Sequence, residues 1–192
     1  TGSALSIDDL QGGGLHSLIA AIAAVGAIAP WLPPGAVAVP FDVIDYTYGR
    51  EHTYSDGAAA ELQHVEFTEP YSERARRELL HGAIAARVDI AEGGVMGVTQ
   101  GPRLESAAEI KRLKRDGCDM VGMTGMPEAG LARELGLDYA CLAVSVNWAA
   151  GLGSGDIHGE IHQSIEAGMA KVRAVLERAL PALRARDEDM ED

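Results

Sequence analysis

The chain is 192 residues long, 47% hydrophobic and 23% charged, which is enough apolar material for one compact domain with its own core. Its 29 acidic and 16 basic residues leave a net charge of −13, and no clustered basic face is visible, so a nucleic-acid backbone is not expected as a partner. Ile19 to Pro40 is interrupted by Gly26, Pro30, Pro33, Pro34 and Gly35, so no apolar run reaches the roughly 20 residues of a bilayer crossing; a soluble, cytoplasmic protein with no membrane partner is expected.

Thr1 to Gly14 is Gly-rich and carries no basic-then-apolar leader pattern; the lack of an initiator Met leads to the expectation that further residues precede Thr1. Leu15 to Ile22 is apolar enough for a helix, and Ala20 to Ile28 reads either as the end of that helix or as a buried strand, since periodicity alone does not separate the two. Pro33-Pro34-Gly35 predicts a turn, and Ala36 to Tyr46, with Val37, Val39, Phe41, Val43 and Ile44, predicts a strand. Thr47 to Glu69 lacks a period and predicts a long surface loop. Pro70 opens a predicted helix to about Ala86 whose wet side carries Glu73, Arg74, Arg76, Arg77 and Glu78.

Gly93-Gly94 then turns into a short strand, Val95 to Val98. Ala107 to Asp116 and Pro127 to Leu135 read as helices, and Asp119 to Met123 and Tyr139 to Val146 as strands covered on both faces. After a Gly-Ser loop at Gly151 to Gly155, a long amphipathic helix is expected from about His158 to Leu180, stopped by Pro181, with a solvated acidic tail over residues 185–192. Strands alternating with helices predict a single α/β domain over residues 1–192, with a mixed, mostly parallel central sheet flanked by helices. Cys118 and Cys141 follow no metal-ligand spacing, so buried free thiols and no metal site are expected. No GxGxxG or GxxxxGK[ST] occurs, which leaves dinucleotide and phosphate-loop folds of that kind unsupported.

Three stretches, Val98 to Ser106, Val121 to Glu128 and Ala143 to Gly151, each begin at the end of an apolar run, where an open α/β sheet delivers polar side chains to a crevice. They are expected to bring Glu105, Met123, Thr124 and Asn147 to one place. A carboxylate accepts from a ring N1–H, and a carboxamide donates to an exocyclic carbonyl while accepting from a neighbouring ring N–H. Together they describe the edge of hypoxanthine or guanine. The plainer alternatives are that Glu105 favours a helix N-terminus and that Asn147 is a turn residue.

Gln100-Gly-Pro-Arg-Leu-Glu-Ser106 with Ala108-Glu-Ile110, then Gly117-Cys-Asp-Met-Val-Gly-Met-Thr-Gly-Met-Pro-Glu128 and Leu131-Ala-Arg-Glu134, resembles the purine nucleoside phosphorylase and methylthioadenosine phosphorylase family. Ile44-Asp-Tyr-Thr47 and Gly49-Arg-Glu-His-Thr-Tyr54 look closest to its bacterial S-methyl-5′-thioinosine phosphorylase branch. The resemblance spans about residues 20 to 180. It implies a homotrimer or hexamer with an α/β fold, a pentosyltransferase of purine salvage that takes inorganic phosphate as co-substrate, needs no cofactor, and releases a free base and a sugar 1-phosphate.

By the same resemblance Thr124 matches a phosphate-contacting residue and Met123 the residue under the ribose. Asn147, the catalytic candidate, would stabilise the departing base at N7 and O6. Asn147 and Ala149 occupy positions that are Asp in adenine-preferring members, and Glu105 matches the Glu that holds N1–H, so the resemblance implies a 6-oxopurine. At the 5′ end the implications divide. His158 aligns with a His that contacts a 5′-hydroxyl, favouring inosine or guanosine, whereas the local similarity around Ile44 to Tyr54 favours methylthioinosine; His64 matches a His that reaches a neighbouring subunit's 5′ pocket. The Asn or Thr that precedes Ala-Val-Gly in the family falls on Ala23, with Ala24 beside it expected among the substrate and phosphate contacts, and Thr1 is the expected remnant of a phosphate loop. The family's Arg-His-Gly segment has no counterpart here. Two other readings stay open: a methylthioadenosine phosphorylase, disfavoured by Asn147 and Ala149, and a non-catalytic purine-binding protein with a lost phosphate site.

Overall fold

The computed structural model describes residues 18–56, 62, 64–153 and 157–188. Its longest strand pair sets the frame: β1 (Leu18–Ala27) and β7 (Asp138–Trp148) run parallel along nearly their whole length. Around them lie β2 (Val37–Val39), β3 (Asp42–Asp45), β4 (Ala91–Glu92), β5 (Val95–Val98) and β6 (Met120–Gly122), in the order β3-β5-β6-β1-β7-β2-β4. The pairs β1/β7, β2/β4, β3/β5 and β5/β6 are parallel, while β1/β6 and β2/β7 are antiparallel. The sheet is therefore mixed and mostly parallel, as the alternation of elements predicts.

The predicted strand Ala36 to Tyr46 is instead two, β2 and β3, separated by Pro40 and Phe41. Pro40 has no N–H for a ladder bond, and the strand kinks there. Because β2 and β3 sit near opposite ends of the sheet order yet are joined by two residues, a reach of roughly 10 Å at most, the sheet must curl until its ends meet. Gly93-Gly94 makes the matching bend between β4 and β5 at φ of 115° and 103°. Phe41 N donates to Gly94 O at 3.1 Å and Gly93 N to Val39 O at 2.9 Å, carrying the pairing round the corner.

The curl divides the core by strand periodicity. From β7, Tyr139, Cys141 and Ala143 point inward to meet Val25, Met96, Val98 and Met120. Ala140, Leu142, Val144 and Val146 point outward, against Ala75, Leu79 and Ala83 of α1 (Glu73–Ala86) and Val172, Val175 and Ala179 of α4 (Ile157–Glu188). On another flank α2 (Ala107–Arg115) packs Ile110 and Leu113 against Val121 and Ile28. The short α3 (Glu128–Glu134) buries Ala129 and Ala132 against the inner cluster.

Several expectations are corrected. The helix expected over Leu15 to Ile22 is strand β1 from Leu18 onward, because its small and β-branched residues are covered on one face by β5 and β6 residues and lie beside β7. The second predicted helix starts after Ser72, whose hydroxyl accepts from Ala75 N at 3.3 Å, rather than at Pro70; the cap sets the boundary. Arg76 and Glu78 are not on its wet side but 8% and 4% exposed. Arg76 turns in to donate to Pro40 O at 3.0 Å, a buried carbonyl at the strand kink, and is paired with Glu73 at 2.6 Å. Pro181 does not end the last helix, which runs on to Glu188; proline removes one backbone bond there, that to Glu177, and the turns on either side persist. Residues 189–192 of the expected tail lie outside the described residues.

Candidate functional site

The ladder explains why three separated stretches meet. Asn147 of β7 pairs with Gly26 of β1, Gly26 with Val121 of β6, and Val121 with Gly97 of β5, a single row across four strands. The strands just beyond this row deliver the loops. The register between β1 and β7 slips at this point, Val25 facing Ser145 but Gly26 facing Asn147, so Val146 is an extra residue. Such a bulge bends the strand and re-aims the next side chain, and here Val146 and Asn147, adjacent in sequence, both line one cavity. The cavity differs from the expected crevice at the carboxyl ends of a parallel sheet: it lies over the face of β1, where antiparallel β6 brings its exit loop alongside.

This cavity holds about 410 Å³. Ile22, Ala24 and Gly26, alternate residues of β1, form its floor, and Glu105, Met123, Thr124, Asn147 and Ala149 stand around it with Ile161 and Ile165 of α4. The structure thus brings together Glu105, Met123, Thr124, Asn147, Ala149 and Ala24. Ala23 is buried on the opposite face of β1. His64 is exposed and does not line the cavity. His158 falls in the first turn of α4, and Thr1 lies outside the described residues. A neighbouring apolar cavity of about 430 Å³ shares Ile22 and Thr124.

Glu105 is not used as a helix cap. Ser106 and Glu109 form a complete capping box at the start of α2, so the N–H groups of Ser106 and Glu109 are met without it. Glu105 is half-buried, and Thr99 Oγ1 donates to its Oε1 at 2.6 Å. Arg103, two residues before Glu105, is turned onto Glu109 through both Nη atoms, at 2.9 and 3.0 Å. That bidentate contact, with the Ser106 N–H, holds the Glu109 carboxyl down at about 2. Asn147 donates from Nδ2 to Trp148 O at 2.6 Å, which fixes the amide while leaving its second N–H hydrogen and Oδ1 for a ligand.

A residue the sequence reading did not single out as functional holds the loops in place. Arg50 donates from Nε to Gln100 Oε1 at 3.0 Å and from Nη2 to Gln100 O at 3.1 Å, Thr99 O at 3.3 Å and Met123 O at 3.0 Å. Its Nη1 donates to Met126 O. One guanidinium, with five donors in a rigid fork, therefore ties the stretch before Glu105 to the stretch bearing Met123 and Thr124. Its sequence signal is its place in Gly49-Arg-Glu-His-Thr-Tyr54, a stretch that carries the resemblance but lies in the long, aperiodic loop from Thr47. Gly101 lets the same two stretches touch: its φ is +65°, and a Cβ there would lie 2.5 Å from Met123 Sδ.

The chain is 52% identical over 165 residues to a Pseudomonas syringae protein named "Probable S-methyl-5′-thioinosine phosphorylase", covering 85% of this chain and 67% of that one. It is 35% identical over 171 residues to the 6-oxopurine nucleoside phosphorylase of Pyrococcus furiosus, covering 86% and 64% respectively. Among solved structures, methylthioadenosine phosphorylase from Schistosoma mansoni in complex with adenine superposes with a TM-score of 0.81 at 27% identity, over 88% of this chain and 66% of that one. The chain spans between 54% and 67% of the length of four curated relatives it matches. A family model, that of the phosphorylase superfamily, matches residues 14–181, and the chain belongs to that superfamily.

Proposed function

We propose that the protein is a purine nucleoside phosphorylase of 6-oxopurines, with S-methyl-5′-thioinosine as preferred substrate and inorganic phosphate as co-substrate. The observation that carries this reading is the meeting of Glu105 and Asn147 on one cavity of about 410 Å³. Glu105 accepts from the N1–H of the base, and Asn147 donates to O6; its Oδ1 accepts from N7 only once N7 takes up a proton as the base departs. Met123 lies under the ribose, and Thr124 contacts phosphate. The names of the Pseudomonas syringae and Pyrococcus furiosus relatives support the substrate class.

The 5′ preference rests on the wall that α4 contributes. Ile161 and Ile165, one helical turn apart, line the cavity together with Ile22, which is 45% exposed. Apolar surface of this kind gains about 0.8 kcal/mol for each buried CH₂, which favours a methylthio group over a hydroxyl that would lose its water. His64, His158, Ala24 and Thr1 remain candidates for the 5′ and phosphate contacts, and a homotrimer in the cytoplasm is the expected setting.

The chemistry then follows from charge. As the glycosidic bond breaks, the ribose becomes cationic and the purine anionic, and groups that meet charge arising only at that stage raise the rate. Asn147 meets the charge on the base, phosphate meets that on the sugar and then bonds to its anomeric carbon. The test is base release from S-methyl-5′-thioinosine, inosine and adenosine with and without phosphate. Phosphate-dependent release is expected in that order of kcat/KM; its absence for every nucleoside rejects the reading.

A further inference from the structure

Glu105 stands in the wall between two cavities, the one it shares with Asn147 and a second of about 360 Å³ lined by Tyr46, Tyr48, Thr99, Gln100 and Arg112 among others. A flexible carboxylate so placed has two directions to face and two kinds of partner to choose from. What holds it is Thr99, which lines only the second cavity. Its hydroxyl donates to Glu105 Oε1 at 2.6 Å, within the short range of charge-assisted O–H···O⁻ bonds. Glu105 Oε2 meets no donor among the described residues, and Arg103, the nearest cation along the chain, is already held by Glu109 through both Nη atoms. Thr99 is itself anchored: its N–H donates to Gly122 O at 2.8 Å and its carbonyl accepts from Arg50 Nη2 at 3.3 Å.

We propose that Thr99 is a specificity-positioning residue, its hydroxyl holding Glu105 Oε1 so that Oε2 is left as the acceptor for the N1–H of a 6-oxopurine. The inference rests on Glu105 being the base acceptor, as proposed above. With Oε1 engaged by the hydroxyl, Oε2 is the oxygen presented, and a carboxylate oxygen accepts from the N1–H of hypoxanthine but only repels the N1 lone pair of adenine. Thr99 thereby strengthens the choice between the two bases without touching either.

The experiment compares the whole protein with Thr99→Val, which keeps the shape and loses the hydroxyl, and Thr99→Ser, which restores it. Kd for hypoxanthine, Kd for adenine and KM for phosphate are measured for all three. Thr99→Val is expected to weaken hypoxanthine by about tenfold, the size of a lost hydrogen bond to a charged group, while adenine binding and the phosphate KM stay unchanged and Thr99→Ser recovers wild-type binding. Hypoxanthine binding unaffected in Thr99→Val, or lost equally in both variants, or lost together with the phosphate KM, overturns the proposal. Failure of the wild-type protein to bind hypoxanthine overturns the base-pocket reading and this inference with it; wild-type binding that ignores Thr99→Val overturns this inference alone.

Discussion

Asn147 carries two different obligations. One Nδ2 hydrogen goes to Trp148 O at 2.6 Å, and the remaining hydrogen and Oδ1 are the groups proposed to meet the base. Replacement by Asp puts a carboxylate oxygen where that nitrogen was, against a carbonyl. The side chain must turn away or take up a proton, and in either case it loses the donation to O6 of a 6-oxopurine proposed for the amide. Asn147→Asp is therefore expected to lower kcat/KM for inosine by about a hundredfold, as loss of one donor to developing charge does, and to raise the ratio of adenosine to inosine activity. Steady-state kinetics on the two nucleosides check this; an unchanged ratio removes Asn147 from the base contacts. Legibility at this scale was uneven. Glu105, Met123, Thr124 and Asn147 stood out because each lies in a stretch that begins at the end of an apolar run. Arg50 and Thr99 did not, since their work is done through backbone carbonyls and through another side chain, neither of which leaves a pattern.

Helix-to-sheet distance is set by glycine at one point and not at another. A Cβ on Gly168 of α4 would lie 2.2 Å from Val144 Cγ1 of β7, whereas one on Gly130 of α3 would find only Met126 Cε at 3.9 Å. Valine has little rotamer freedom, so α4 must move. Gly168→Ala is expected to destabilise by about 1–3 kcal/mol, the usual penalty for overpacking. Gly130→Ala should stabilise by about 0.5–1 kcal/mol through helix propensity alone. Urea unfolding of the two variants beside wild type tests the contrast, and equal midpoints would contradict it. Because Ile161 and Ile165 ride on α4, Gly168→Ala should also raise KM for the nucleoside. Among elements, α2, β6 and β7 were readable because a capping box and continuous apolar runs are local signals. The split at Pro40, the bulge at Val146, the inward turn of Arg76 and the passage of α4 through Pro181 were not, as each depends on which strand or helix lies alongside.

At the scale of the whole chain, the closed curl of the sheet buries acidic hydrogens as well as apolar surface. Burial pushes the Cys141 thiol up from 9.0 to about 12. Burial likewise raises the Tyr139 and Tyr71 phenols, whose rings stack 6.0 Å apart, with Cys141 adding to both shifts. Tyr46 is raised first by burial and then by its hydrogen bond to Asp116. All four folded-state values lie above the unfolded ones, so on raising the pH the unfolded chain loses these protons first. Their contribution is fully present below about pH 9, the ordinary thiol value, and is lost as pH climbs towards the folded values. For Cys141 alone the loss approaches about 1.4 kcal/mol per pH unit between pH 9 and pH 12, and the tyrosines add theirs from about pH 10 upward. Urea midpoints should therefore be flat from about pH 7 to pH 8.5 and fall steeply above it. Cys141→Ala should flatten the first part of the fall, because it removes one of the titrating groups while leaving a small apolar residue in its place. A thiol reagent offered at pH 8 should find neither Cys118 nor Cys141, both buried and free, until denaturant opens the sheet; rapid labelling of the folded chain, or a midpoint that holds level to pH 11, would show that this interior is not sealed.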